Sequence, residues 1–403
     1  MRPRQHPPCG DDITLWSAEA LLAAYAARTL SPVDVVQQTF ARIEALDGGL
    51  RMFTWTDRAA ALAQARAAEA AWRSGTAGAL GGVTFSVKDP LAVGGVPQTF
   101  GSALFRDHVP ATDHPVVARL RRAGAVFLGM TNMPEFGHRP TNENALYGTG
   151  RNPWSPAHTP GGSSGGSAVA VAVGAGAISL GTDAGGSVRA PAACCGVVGF
   201  KATHGLVPHT ALADGFASLV QIGPLARTVG DIAATLDVIA GAHADDPWSG
   251  AVPPQQLRAS LNDGAGLQGL RLGWLPFMGA GEGAEGLDAE VRALCEQALQ
   301  RLAGAGAEVQ ARHADLSASS PILAAIAGPG NHHRFAELLE RAPDGFPPSF
   351  RARLEAAGRM TREQLQQGLI DRTQYFRKVQ ALFEASDVLV TPTLSAPAVL
   401  AQA

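Results

Sequence analysis

The chain has 403 residues, 46% of them hydrophobic and 17% charged, which supplies a large core and excludes a mostly disordered polypeptide. Its formal net charge of −3 leaves no electrostatic case for nucleic acid or an anionic membrane as partner. No run approaches the roughly 18 consecutive apolar residues that a membrane span needs.

Met1 to Gly10 carries arginines with no apolar run behind them, so it does not read as a signal peptide. Ser17 is placed to cap a helix over 18–30. Ser31-Pro32 ends that helix and opens another, with Val35, Val36, Phe40 and Ile43 on one face. The stretch 57–73 is alanine-rich and reads as a helix. Gly81-Gly82 breaks the pattern, and 83–88 reads as a strand. Alternation sets Thr84, Ser86 and Lys88 on one face and Val83, Phe85 and Val87 on the other. Asp89-Pro90 stops the strand and leaves Lys88 at its C-terminal end. A helix over 115–123 leads through Gly124 into a strand over 125–130.

From about Gly148 to Gly205 the chain is crowded with Gly and Ser. A loop over 161–167 precedes a helix reaching about Ala175, then a strand over 178–182, a second loop and a short helix near Pro191. Downstream come a helix over 231–239, a loop with Pro253-Pro254 and a strand over 270–274. Helices over 288–303 and 361–385 and a strand over 388–390 follow. The alternation of helices and strands predicts an α/β fold: one large domain over 1–403 with a central mixed, mostly parallel sheet flanked by helices. No repeat or long linker divides it.

Cys9, Cys194, Cys195 and Cys295 form neither a disulfide framework nor a zinc spacing. They fit a reducing compartment, and a soluble cytoplasmic protein is expected. His332-His333 has the residue type of a metal pair, but no third ligand sits at helical spacing; it reads as surface or pocket edge, and neither metal nor cofactor is expected.

Two loops carry the chemistry. One is Gly161-Gly162-Ser163-Ser164-Gly165-Gly166-Ser167 and the other Gly181-Thr182-Asp183-Ala184-Gly185-Gly186-Ser187-Val188-Arg189. Glycine runs bring backbone N–H groups close to a ligand, and a serine ending such a run can attack a carbonyl while those N–H groups hold the oxyanion. Asp183 and Arg189 read first as an ion pair across the loop, and Cys194 and Cys195 as packed thiols.

The second loop, with Pro191, resembles the core of the amidase signature family. The first loop resembles that family's other glycine-serine stretch, and Val87-Lys88-Asp89 its lysine strand. Ser187 follows Ser163 by 24 residues and Ser163 follows Lys88 by 75, as in the family. Similarity runs from about Ile13 to about Pro397, with the signature core at about 80–205. It includes Thr131-Asn132-Met133-Pro134-Glu135-Phe136 and Gly199-Phe200-Lys201.

The resemblance implies a role for each matching residue. Ser187 is the acylated nucleophile. Ser163, in a cis peptide with Gly162, relays the proton, and Lys88, neutral at the start, is the base. The backbone N–H groups of Ala184, Gly185, Gly186 and Ser187 form the oxyanion hole. Ser164, Asp183 and Arg189 support the loops, and Gly137 and Gly162 border the substrate. Lysine ionises at about 10.4 in water, so a basic Lys88 must be desolvated or crowded by dipoles. Family members continue for some tens of residues past the segment resembling Val390-Thr391-Pro392-Thr393, so a shortened C-terminal edge is expected here.

The expected activity is hydrolysis of neutral, partly apolar or aryl amides, with carbamates (urethanes) and esters open to the same acyl-enzyme chemistry. Thr210 to Phe216 is expected to edge the pocket, and no arginine cluster points to a charged acyl group. The partners expected are a small amide or carbamate and a second copy of the chain in a homodimer, with no nucleic acid and no membrane. Three rival readings stand beside this one. Within the family, the chain is an amidotransferase subunit releasing ammonia from glutamine for a partner enzyme. Gly161-x-Ser163-x-Gly165 also fits the nucleophile elbow of an α/β-hydrolase esterase, which needs a later Asp and His. A glycine-rich loop before a helix fits a non-enzymatic phosphate-binding module, though no Gly-Lys-Ser/Thr ending follows.

Overall fold

The computed structural model describes residues 12–211, 219–250, 256–261, 266–278 and 286–401. Met1 to Gly10 with Cys9, the Pro253-Pro254 loop and Leu212 to Phe216 lie outside the described residues. The chain divides into two compact units, Met1–Leu261 with Ala398–Ala403, and Asn262–Pro397.

In the first unit, helix starts follow the caps written in the sequence. The Ser17 hydroxyl accepts from Ala20 N at 3.1 Å and opens α1 (Ala18–Ala26). That helix stops short of Leu30, and Arg28 takes a left-handed φ of 57°. Ser31 accepts from Val33 N at 3.0 Å and Pro32 fills the first turn of α2 (Pro32–Leu50), whose buried face includes Val35, Val36, Phe40 and Ile43. Asp57 caps α3 (Arg58–Ser74), and Gly75 closes it at φ 76°.

The main sheet contains β1 (Phe53–Thr56), β2 (Thr84–Lys88), β3 (Val126–Thr131), β6 (Ile178–Asp183), β7 (Val198–Gly199) and β8 (Gln221–Ala226). A separate hairpin is formed by β4 (Glu143–Asn144) and β5 (Gly148–Thr149). The order of the main sheet is β1-β3-β2-β6-β8-β7. Its central trio β3-β2-β6 is parallel, and β1, β8 and β7 join antiparallel, so the sheet is mixed. Its remaining helices are α4 (Pro115–Arg122), α5 (Gly165–Ala172), α6 (Arg189–Cys195), α7 (Val229–Ile239) and α8 (Leu257–Ser260).

Both faces of the sheet are apolar and covered, as expected when helices lie on either side. One cluster joins Leu21 and Tyr25 of α1, Val117 and Leu120 of α4, and Ile232 and Leu236 of α7 to Phe85, Val87, Ile178 and Leu180. The other joins Val36 and Phe40 of α2, Ala61 of α3 and Val169 of α5 to Val126, Leu128 and Leu225. The polar face of β2 is therefore buried too, and it satisfies itself. Ser86 Oγ donates to Ser179 Oγ at 2.8 Å, and Thr84 Oγ1 accepts from Ala177 N at 3.0 Å.

The second unit has a parallel three-stranded sheet, β10 (Glu308–Ala311), β9 (Arg271–Trp274) and β11 (Val388–Val390), in the order β10-β9-β11. Its helices are α9 (Ala289–Gly304), α10 (Ser319–Arg341), α11 (Pro348–Gly358) and α12 (Arg362–Leu382). Among the described residues, no helix of the chain is long and apolar enough to cross a membrane.

Candidate active site

Parallel pairing of β2 with β6, Val87 opposite Leu180, brings the C-terminal ends of both strands to one edge of the sheet. In parallel sheets that edge is where ligands gather. Lys88 ends β2, and the loop 184–188 leaves β6 beside it. The first glycine-serine loop runs over the same edge into α5.

Lys88 is 1% exposed, and its Nζ donates to Ser163 Oγ at 2.7 Å and Thr182 Oγ1 at 2.9 Å. Burial pulls its pKa down to about 7, against the opposing charges of Asp183 and Asp89. A dry amine held only by hydroxyls loses little by giving up its proton. Asp89 is itself fully buried, and burial raises its carboxyl to about 6 despite hydrogen bonds from Phe100 and Thr99.

The Gly162–Ser163 peptide is cis. A side chain at Gly162 would run into the Thr141 carbonyl and lie 2.9 Å from Arg139 O, so the loop accepts only glycine there. The loops are stitched together by Ser164, whose N donates to Ser187 O at 3.0 Å and whose Oγ donates to Thr182 O at 3.4 Å. Gly181 leaves room for this contact: a Cβ there would sit 2.7 Å from Ser164 Oγ. Gly137 faces Ser163, because an ideal Cβ on it would lie 3.3 Å from Ser163 Oγ. Ser187 is half-buried at the mouth of the second loop, and among the described residues no hydrogen bond joins its hydroxyl to that of Ser163.

Asp183 organises the second loop. Its carboxylate accepts from Gly186 N at 2.7 Å, Val188 N at 3.1 Å and the Arg189 guanidinium at 2.8 and 2.9 Å. Burial works to raise its pKa, but the Arg189 bonds and charge, with the Gly186 and Val188 N–H groups, bring it below the ordinary value. The ion pair expected from the sequence is present as a two-pronged contact. The Gly186 N–H is thus engaged inside the loop. The N–H groups of Ala184, Gly185 and Ser187 make no hydrogen bond among the described residues, and Ala184 and Gly185 are exposed.

His204 and His209, the histidines a nucleophile elbow would draw on, have other partners. His204 Nδ1 meets Gln221 Nε2 at 2.9 Å, and the His209 ring packs on His114 at 5.5 Å between centroids. Ser163 pairs with Lys88 and not with a histidine, which removes the support for a nucleophile elbow. The N-terminus of α5 is filled from within: Gly166 N donates to Asn132 O at 3.1 Å, and a Cβ on Gly165 would meet Asn142 Nδ2 at 2.6 Å. That leaves a phosphate no cradle. Burial raises the pKa of both Cys194 and Cys195, the former to about 11, as suits packed thiols. His332 Nδ1 meets Leu354 O at 3.0 Å, and among the described residues no three His, Cys, Asp or Glu side chains gather as metal ligands.

Sequence reasoning missed Thr182, the second partner of the Lys88 amine. The signal was the register: once Val87 lies opposite Leu180, Lys88 reaches the level of Gly181 and Thr182.

A family profile described as Amidase matches residues 34–403. The chain belongs to the amidase signature family. Among curated relatives, a glutamyl-tRNA(Gln) amidotransferase subunit from Anaeromyxobacter sp. (strain K) is 45% identical over 71% of this chain and 57% of its own length. An acylamidase from Rhodococcus erythropolis is 39% identical over 73% of this chain and 60% of its own length. The chain thus spans a little over half the length of these relatives. A solved bacterial aryl acylamidase of the amidase signature family superposes with TM-score 0.88 at 26% identity, over 96% of this chain and 81% of that one. A 6-aminohexanoate cyclic dimer hydrolase complexed with substrate superposes with TM-score 0.87 at 27% identity, with the same coverage. Amidase signature architecture, an α/β mixed sheet flanked by helices, is therefore the fold of this chain.

Proposed function

We propose that the chain is a serine amidohydrolase that cleaves amide C–N bonds through an acyl-enzyme on Ser187. The observation that carries this reading is the dry Lys88 amine, 2.7 Å from the Ser163 hydroxyl, beneath a loop ending in Ser187. Neutral Lys88 draws the proton of Ser163 as Ser163 draws that of Ser187, and Ser187 Oγ bonds to the substrate carbonyl carbon. The N–H groups of Ala184, Gly185 and Ser187 receive the oxyanion, while Gly186 braces the loop through Asp183. Lys88 returns its proton through Ser163 to the leaving nitrogen, the C–N bond breaks, and water then frees the acid by the reverse relay. Neutral, partly apolar or aryl amides are the proposed substrates, with carbamates and esters following the same steps.

A second reading draws on the relatives named as glutamyl-tRNA(Gln) amidotransferase subunits. It has the same site release ammonia from glutamine for a partner. The test is a hydrolysis screen of the purified chain on aryl amides, carbamates, esters and glutamine, with Ser187→Ala as control. Aryl amide turnover that Ser187→Ala abolishes supports the first reading. Turnover of glutamine alone, only with partner subunits, supports the second. Aryl amide turnover that survives in Ser187→Ala defeats both.

A further inference from the structure

Asp89 follows the base in sequence and is 0% exposed, yet among the described residues it forms no ion pair. Its carboxylate instead grips the next loop. Oδ2 accepts from Thr99 Oγ1 at 2.9 Å, and Oδ1 accepts from Phe100 N at 2.6 Å. Phe100 O in turn accepts from Phe136 N at 2.8 Å, and Phe136 immediately precedes Gly137, the residue facing Ser163 Oγ. Phe100 and Phe136 both hold left-handed conformations, φ 53°, which a bulky residue keeps only when its neighbours enforce it. Gly101, at φ 68°, allows the two loops to touch: a Cβ there would sit 3.0 Å from Met133 O. Phe105 packs edge-on to both phenylalanines, 5.1 Å from Phe100 and 6.1 Å from Phe136 between centroids.

We infer that Asp89 is a positioning residue that couples Lys88 to the Phe100–Phe105–Phe136 aromatic cluster beside Gly137, its charge acting on Lys88 and its two hydrogen bonds holding Thr99 and Phe100 and, through Phe100, Phe136 and Gly137. The inference rests on the amidase reading above and names the class of group this site favours: an aromatic or flat apolar group beside the scissile bond. The charged and titratable groups around the pair are few. Lys88 is neighboured by Asp183, which is already matched by Arg189, and by Asp89, which is not. Tyr147 lies near Thr99 and Asp89, and burial, with the Asp89 charge, pushes its hydroxyl up. Asp89 is thus the one unmatched carboxylate among the charges acting on the base. Its charge opposes the loss of the Lys88 proton, and removing it lets the ammonium release that proton at lower pH.

The test uses the full chain and a pH profile of kcat/KM on an aryl amide for wild type, Asp89→Asn and Thr99→Val, with Ser187→Ala alongside. Asp89→Asn should move the acidic limb down by about half a unit to one unit and raise KM. Thr99→Val keeps the carboxylate and loosens the clamp, so it should raise KM while moving the limb less than Asp89→Asn does. A limb that stays put or moves up in Asp89→Asn, or a uniform loss of kcat in both variants with KM unchanged, would overturn the inference. If Asp89→Asn does not fold, Thr99→Val decides alone, and an unchanged KM for the aryl amide defeats the clamp. Activity surviving in Ser187→Ala would instead defeat the amidase reading, whatever Asp89 does.

Discussion

At Lys88, burial strips away the water that would hold an ammonium, and the hydroxyls of Ser163 and Thr182 take its place. The pKa of about 7 that follows sets two pH windows of the same sign. In the proposed mechanism the amine acts neutral, so kcat/KM should climb with pH through about 7 and level off above it, as a rate profile would record. For stability, the unfolded chain holds the proton up to 10.5 while the folded one releases it from about 7, so the unfolded state binds more protons between these values and stability rises with pH across them. Denaturant midpoints at pH 7 and 10 should show that rise in wild type and a smaller one in Lys88→Met. Lys88→Ala should lose orders of magnitude in amidase rate at neutral pH. Its ester hydrolysis should suffer less, because an alkoxide leaving group needs less of the returned proton. His204→Ala and His209→Ala should cost far less, since both rings point to other partners. Near-normal amide turnover in Lys88→Ala would contradict this account of the base.

At the scale of elements, close backbone approach decides which glycines the fold needs. A Cβ at Gly223 in β8 would run into the Phe200 carbonyl, and nothing flexible stands there to yield. Gly223→Ala should therefore destabilise by more than about 2 kcal/mol in a denaturant titration. Gly49 in α2 has open space and helical backbone, so Gly49→Ala should stabilise by about 0.5–1 kcal/mol. The same feature explains what the sequence left unread. Strand β8 contains Gly223-Pro224, which reads as a turn, yet it lies between β6 and β7. Phe200 N donates to Pro224 O at 3.1 Å, so the proline serves the sheet as an acceptor where it cannot donate. Pro329 sits inside α10 with Gly328 and Gly330 on either side, and that punctuation hid a helix. By contrast α2, β2 and α5 carried their caps or breaks in the local sequence. Lys88, Ser163 and Gly137 were singled out through the resemblance to the amidase signature family, and the structure brings the three together. Thr182 and the partners of Asp89 were not, because only strand register and a loop closing from about ten residues away bring them to the base.

At the scale of the molecule, family membership and the α/β fold rest on the profile match over 34–403 and on the superposed solved amidases, and the chemistry rests on what lies at one sheet edge. The purified chain should hydrolyse an aryl amide without ATP, tRNA or any partner protein, because the proposed nucleophile, relay and base all lie within residues 88–187. Release of aniline from an anilide, followed by absorbance, measures this directly. The central claim is the identity of the acylated atom, and adduct mapping tests it. The intact chain is treated with a fluorophosphonate, digested, and read by mass spectrometry. One adduct is expected, on Ser187, lost in Ser187→Ala and strongly slowed in Lys88→Ala. An adduct on Ser163, on Cys194 or on Cys195 would contradict it.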